Sequence, residues 1–90
     1  MAGVDARELV ETRRRYLAVL AREVEARGLF WRFAGPGEAL LTVSGPRTRR
    51  QVMVVATVCA DGWYFLWPGG GMACVGDAAT VAARLAGLLH

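Results

Sequence analysis

The side chains best suited to nucleophilic chemistry in this 90-residue chain are the thiols of Cys59 and Cys74. A nucleophilic cysteine needs a neighbouring base and a group that orients that base. The single histidine, His90, is the last residue of the sequence, where chain ends fray. The spacing of polar residues in the sequence does not bring a nucleophile, a base and an oxyanion donor together. We therefore expect no catalytic residue and no enzyme activity.

The other polar motifs lack the features of a metal or cofactor site. No C-x-x-C pair is present, and one histidine cannot complete a zinc site. The glycine-rich residues 68–71 precede a helix, as phosphate loops do, but lack the following Lys-Ser/Thr. Turn and capping roles account for Glu38, Asp61 and Asp77. We therefore expect no metal and no cofactor, while a small-molecule pocket beside residues 69–71 stays a third alternative.

Two arginine clusters, residues 13–15 and 47–50, are the candidates for nucleic-acid binding. All eleven basic side chains are arginine, a bias typical of GC-rich genomes, and the net charge is only +3. Successive helical residues are rotated by about 100°, so residues 13–15 cannot form one patch. We favour a solvated loop for residues 47–50, because such a loop discourages edge pairing. The alternative function is a nucleic-acid interface built from Arg47, Arg49 and Arg50 with Arg32.

The elements that must position these residues begin with a helix over residues 6–27. Asp5 and Glu8 have the spacing of a capping box, and Gly28 supplies a left-handed stop. A second helix is expected over residues 78–89, with Asp77 as its cap. The apolar stripe of the first helix recurs at steps of three and four residues: Leu9, Val10, Leu17, Leu20, Ala21 and Val24.

Strand-like segments lie between the helices, over residues 29–34, 38–44, 49–60 and 63–67. Asp61-Gly62 between two apolar runs predicts a type I′ hairpin turn. The glycines after Trp67 predict a connection too flexible to pair. We therefore predict one α+β domain over residues 1–90, with the order helix, four-stranded antiparallel meander, helix (α-β-β-β-β-α). Both helices are expected on one face of the sheet.

The expected hairpins predict which side chains share a face. Pairing Trp63 with Ala60 and Phe65 with Val58 opposes large side chains with small ones. One face is then almost wholly apolar and is expected to be the core: Leu29, Trp31, Phe33, Ala39, Leu41, Val43, Val52, Val54, Val58, Trp63, Phe65 and Trp67.

The opposite face carries an apolar streak that two helices cannot also cover. An exposed apolar patch with a polar rim usually marks an interface. We therefore predict a non-catalytic protein-interaction or regulatory module, homodimeric through the back of the sheet or bound there to another protein. A slipped register that dilutes the core is the alternative explanation. The predicted interface residues are Phe30, Arg32, Leu40, Met53, Val55, Tyr64 and Leu66.

Residues 61–68, D-G-W-Y-F-L-W-P, precede a glycine loop and a helix that begins Asp77-Ala78-Ala79. This segment resembles small uncharacterised actinobacterial proteins, in which a G-W-Y-F-x-W-P strand also precedes a loop and an alanine-rich helix. The resemblance covers the C-terminal third and implies a bacterial cytosolic protein, without implying an activity.

The predicted element order is also similar to that of double-stranded-RNA-binding domains. This chain differs by a fourth strand and by Asp77 at the start of the last helix, where those domains carry a lysine cluster. An acid there repels phosphate. Secretion-chaperone-like folds, which are α+β homodimers that hold other proteins, share the layout except for a second helix inserted in the sheet.

Composition and hydropathy indicate the class of protein and its expected location. With 54% hydrophobic and 21% charged residues, the chain is expected to be one soluble domain. No apolar run approaches the roughly 20 residues of a membrane span. The first residues lead into a charged helix and not into a signal peptide. We expect a cytoplasmic protein that binds no membrane.

Overall fold

The structure, a computed structural model, describes residues 6–90, so the expected cap residue Asp5 lies outside the described residues. It is an α+β fold, as predicted. Short 3₁₀ turns at Pro36–Glu38 and Val75–Asp77 join some of the elements. In chain order, the helices and strands are α1 (Ala6–Ala26), β1 (Phe30–Ala34), β2 (Leu40–Ser44), β3 (Gln51–Cys59), β4 (Gly62–Trp67), β5 (Gly71–Cys74) and α2 (Ala78–Leu89).

Helix α1 ends where the sequence predicts its stop. Gly28 has a φ of +80°, the left-handed conformation that glycine adopts easily. The Leu29 N–H donates to the Val24 carbonyl at 3.1 Å, and the Gly28 N–H donates to the Glu25 carbonyl at 3.0 Å. These two bonds form a Schellman motif. Leu29 is buried, so the motif turns the chain directly from α1 along the core into β1.

The strands form one antiparallel sheet in the order β1-β2-β3-β4-β5. On β3 and β4, Trp63 pairs with Val58, two residues away from the predicted partner Ala60. Ala60 and Asp61 form the turn, and among residues 60–62 only Gly62 has a positive φ. The expected type I′ turn is therefore wrong. The faces are nevertheless as predicted, because side chains alternate with period two and a shift of two preserves them. Val58 near the end of β3, predicted to be in the core, is instead 50% exposed.

The prediction of four strands is wrong, because the sheet has a fifth, β5. Residues 68–70 form a three-residue turn after β4, with φ of +90° at Gly69 and +83° at Gly70. Glycine adopts these angles without strain, and a tight hairpin requires them. The glycine-rich segment is thus a hairpin turn and not a flexible connection.

Strand β5 pairs with β4 along its whole length, from Trp67 opposite Gly71 to Tyr64 opposite Cys74. The lack of a side chain at Gly71 permits this pairing, since a Cβ there would lie 2.0 Å from the Trp67 indole. The indole fills the space beside the glycine, and Trp67 is almost completely buried.

Both helices pack on the sheet, and their buried residues form a single hydrophobic core with one of its faces. Of the predicted helical stripe, Val10 is instead 42% exposed, because the fully buried part of α1 begins at Leu17. The buried strand residues are Leu41, Val43, Val54, Ala56, Phe65 and Trp67. The buried helix residues are Leu17, Leu20, Ala21, Val24, Ala78, Val81, Ala82, Leu85 and Leu89.

Asp77 stands at the N-cap position of α2, but its side chain makes no capping hydrogen bond, so the predicted cap is wrong. Its φ of −101° and ψ of 31° differ from the extended conformation in which an N-cap side chain reaches back to the helix N–H groups. In the part of the chain that the structure describes, neither helix has the length and apolar character to cross a membrane.

Candidate functional site

The side of the sheet that faces away from the helices, called here the back face, carries all seven residues of the predicted interface. The assignment follows from alternation along the strands, since Trp31, Phe33 and Phe65 pack with the core. The strand residues of the back face are Phe30, Arg32, Ala34, Leu40, Thr42, Ser44, Gln51, Met53, Val55, Thr57, Cys59, Tyr64, Leu66, Met72 and Cys74.

An apolar row crosses the middle of the back face from one sheet edge to the other. Paired positions on successive strands form this row, which consists of Ala34, Leu40, Val55, Leu66 and Met72. At about 4.8 Å between strands, the row is about 19 Å long. Met72 at its end is 52% exposed, as is Met53 in the neighbouring row. The three residues in the middle of the row are half-buried. The back face is therefore apolar at its centre, and its most exposed apolar side chains lie around that centre.

Arg32 is the one charged side chain among the strand residues of the back face. It is exposed on the edge strand β1, opposite the buried Thr42. Among residues 6–90, Arg32 makes neither an ion pair nor a side-chain hydrogen bond. The back face thus has a free positive charge at one corner.

An acidic group lies at the other end of the back face. The hydroxyl of Tyr64 donates a hydrogen bond to Oδ2 of Asp61 at 2.8 Å. Because Tyr64 belongs to the back face, this bond holds the Asp61 carboxylate on the same side of the β3–β4 turn. The hydrogen bond raises the pKa of Tyr64 above its ordinary value, since deprotonation would break it and place two negative charges together.

Two thiols flank Tyr64. Cys74 is paired with it on β5, and Cys59 lies two residues beyond its β3 partner, Thr57. Both cysteines are free and exposed. They lie two strands and two residues apart, at about 12 Å, which is too far for a disulfide, whose Cα atoms are usually less than about 7 Å apart. Within residues 6–90, no group of three or more His, Cys, Asp or Glu side chains could hold a metal ion.

Two of the three consecutive arginines of α1 bind parts of this chain. The Nε of Arg13 donates to the Ala56 carbonyl at 2.9 Å, and its guanidinium lies 5.8 Å from the centre of the Trp63 ring. Arg14 lies over the Phe33 ring and forms a 2.8 Å ion pair with Glu38. The helical arginine cluster thus attaches α1 to the sheet and the β1–β2 turn.

The arginines of the 47–50 loop are all exposed between β2 and β3. The loop has local order, because the Arg50 N–H donates to Thr48 Oγ1 at 3.3 Å. It emerges beyond the Ser44–Gln51 pair, at the end of the sheet nearer to Arg32. The structure therefore places the four arginines of the predicted nucleic-acid site at one end of the sheet, with Arg32 on its back face.

A depression of about 500 Å³ lies beside the β4–β5 turn, where the small-molecule alternative would need a pocket. Its charged group is Arg84 of α2, which is exposed. The other lining residues are Trp67, Pro68, Gly69, Gly70, Gly71 and Leu88. Little of the indole is accessible there, because Trp67 is 9% exposed.

Sequence reasoning missed the part of the back face that β5 contributes, above all Met72. The segment Gly71-Met72-Ala73-Cys74 alternates small and larger side chains after a short turn rich in glycine, which is a hairpin signal. The link between Asp61 and the back face was also missed. Only the geometry of the Tyr64 hydroxyl shows it.

No family model matches the chain, and no curated protein or solved structure matches it either. The resemblance to small actinobacterial proteins stays a prediction.

Proposed function

We propose that the chain is a non-catalytic protein-interaction or regulatory module whose back face binds a second copy of itself. The observation that carries this proposal is the apolar row from Ala34 to Met72, which no element of residues 6–90 covers. Contact with a second sheet removes such a surface from water, which is favourable in proportion to the apolar area buried.

The size of the back face supports a protein partner. Five strands at about 4.8 Å and five residues at about 3.3 Å give a face of roughly 24 by 17 Å. Its projected area is about 400 Å², which is the size of the largest surface patch on a typical monomer, and such a patch is often functional. The exposed side chains of Phe30, Met53 and Met72 enlarge this contact area further.

The contacts of the carboxylates support a structural role for the polar groups. Glu38 binds Arg14, and Glu23 binds Arg27. Glu25 accepts from the Trp31 indole at 3.1 Å. These acids join one element to another or stabilise a helix. The free thiols further favour a reducing compartment, and we infer that the protein acts in the cytoplasm.

The substitution Met53→Arg tests the proposal. Met53 is 52% exposed and lies beside the apolar row, so we expect the variant to fold. In the dimer it would bury two unpaired cations, and we expect the dissociation constant to rise at least about tenfold. Analytical ultracentrifugation over a concentration series measures this constant.

Val19→Arg is the matched control, since Val19 is 46% exposed on α1 and lies outside the back face. We expect it to dimerise like the wild type. A wild-type protein that is monomeric at tens of micromolar would overturn the homodimer. Equal weakening by both variants would exclude the back face as the contact surface, and unfolding of Met53→Arg would contradict its exposure.

A further inference from the structure

We propose that the two copies cross at about a right angle, with Arg32 of each copy against the Tyr64–Asp61 pair of the other. This inference rests on the proposed homodimer and specifies its geometry. It follows from the position of the two opposite charges on the back face and from the requirements of twofold symmetry.

Arg32 and Tyr64, whose hydroxyl holds the Asp61 carboxylate, lie at diagonally opposite places on the back face. Arg32 is on β1 and Tyr64 is on β4, three strands or about 14 Å apart. Across the sheet, Arg32 is level with Met53 on β3, and Tyr64 is level with Thr57 on the same strand. Met53 and Thr57 are four residues apart, so Arg32 and Tyr64 are separated by about 13 Å along the strands. The diagonal therefore runs at about 45° to the strands and has its midpoint in the apolar row.

A twofold axis through this midpoint satisfies both charges at once. In a twofold interface, if residue i contacts residue j of the partner, then j also contacts i. The axis lies in the plane between the two sheets and is perpendicular to the diagonal from Arg32 to Tyr64. Rotation about this axis places Arg32 of each copy opposite Tyr64 of the other. The midpoint falls between Leu40 and Val55, so these apolar side chains would meet their own copies at the centre.

The same axis produces an allowed packing of two sheets. Because it lies at about 45° to the strands, it carries them to a direction about 90° away, which is the orthogonal class of sheet packing. An axis along β3 would instead place Arg32 over the β4–β5 turn, where residues 68–71 carry no charge. Of these two arrangements, the crossed one brings the unpaired Arg32 to Tyr64, whose hydroxyl holds the Asp61 carboxylate.

Two charge-reversed variants test this contact, Arg32→Glu and Asp61→Lys. In a homodimer of either variant, like charges would meet at both corners, and we expect the dissociation constant to rise about tenfold or more. In an equimolar mixture of the two variants, the heterodimer has one native pair and one reversed pair. We expect native mass spectrometry to show that the mixture forms heterodimers with an affinity within about threefold of the wild type.

Arg49→Glu is the control, because it makes the same change of charge in the exposed loop outside the back face. We expect it to dimerise like the wild type and to form no preferred heterodimer with Asp61→Lys. If Asp61→Lys fails to fold, Asp61→Asn replaces it. Its mixture with Arg32→Glu should then give more heterodimer than random pairing gives.

The outcomes separate this inference from the proposed function. A monomeric wild type overturns both. A wild-type dimer that Met53→Arg dissociates, combined with variant mixtures that pair at random, overturns the crossed arrangement and leaves the back face as the interface. Unaltered dimers of Arg32→Glu overturn the corner contact in the same way.

Discussion

Tyr64 joins the β3–β4 turn to the back face through one hydrogen bond, and this bond is sensitive to pH. Asp61 accepts the bond and raises the pKa of the phenol above its ordinary value. We expect Asp61→Ala to lower the pKa of Tyr64 toward about 10, because the substitution removes both the acceptor and the charge. A titration of tyrosinate absorbance measures this shift, and Tyr64→Phe separates its signal from that of Tyr16.

The direction of the effect on stability follows from the raised pKa. A group with a higher pKa in the folded state stabilises the protein below its unfolded pKa, and this contribution is lost as the pH rises through the folded value. The advantage of the wild type over Asp61→Ala should therefore be constant from neutral pH to about pH 10 and be lost as the pH rises through the raised pKa of Tyr64. An advantage that grows with rising alkaline pH would contradict the assignment.

The attachment of α1 to the sheet depends on arginines that sequence reasoning treated only as a possible charge patch. Arg13 reaches the Ala56 carbonyl and lies over the Trp63 ring. We expect Arg13→Ala to lower the free energy of unfolding by about 1–3 kcal/mol, since it removes a charged hydrogen bond and a cation–π contact. Urea denaturation measures the difference, provided that the m-value is unchanged.

Arg15→Ala is the control for that experiment, because Arg15 is exposed two residues further along the same helix. Its effect should stay within about 0.5 kcal/mol, as is usual for a surface substitution. Equal losses in both variants would show that the contact of Arg13 with the sheet does not determine the result, since alanine is a better helix former than arginine at either position.

The elements differ in how well local sequence predicts them. Helix α1 was predictable to within one residue, because an apolar stripe and Gly28 mark its length and its end. Strand β5 was not, since the same glycines are compatible with a flexible loop or with a tight hairpin. A tertiary contact favours the hairpin, because the Trp67 indole packs against the backbone of Gly71, which has no side chain. Local sequence does not show this contact.

At the scale of the whole molecule, the two faces of the sheet were predictable although the register was not. A slip by two residues between β3 and β4 moved each partner but left every side chain on its face. The charges of the back face were less accessible to prediction. Arg32 follows from alternation alone, whereas Asp61 joins the face only because the turn lets the Tyr64 hydroxyl reach it.

Salt dependence distinguishes the dimer from the nucleic-acid alternative. The four arginines at one end of the sheet, Arg32, Arg47, Arg49 and Arg50, would neutralise about four phosphates, so log affinity for duplex DNA should fall with log salt at a slope near −4. An apolar dimer interface with two screened ion pairs should weaken only about twofold to threefold between about 0.05 and about 0.5 M salt. Ultracentrifugation of the protein alone and fluorescence anisotropy with a labelled duplex measure the two dependences.

The triple variant Arg47→Ala, Arg49→Ala and Arg50→Ala should dimerise like the wild type. A steep salt dependence of DNA binding that this variant abolishes, in a protein that stays monomeric, would instead assign the function to the loop.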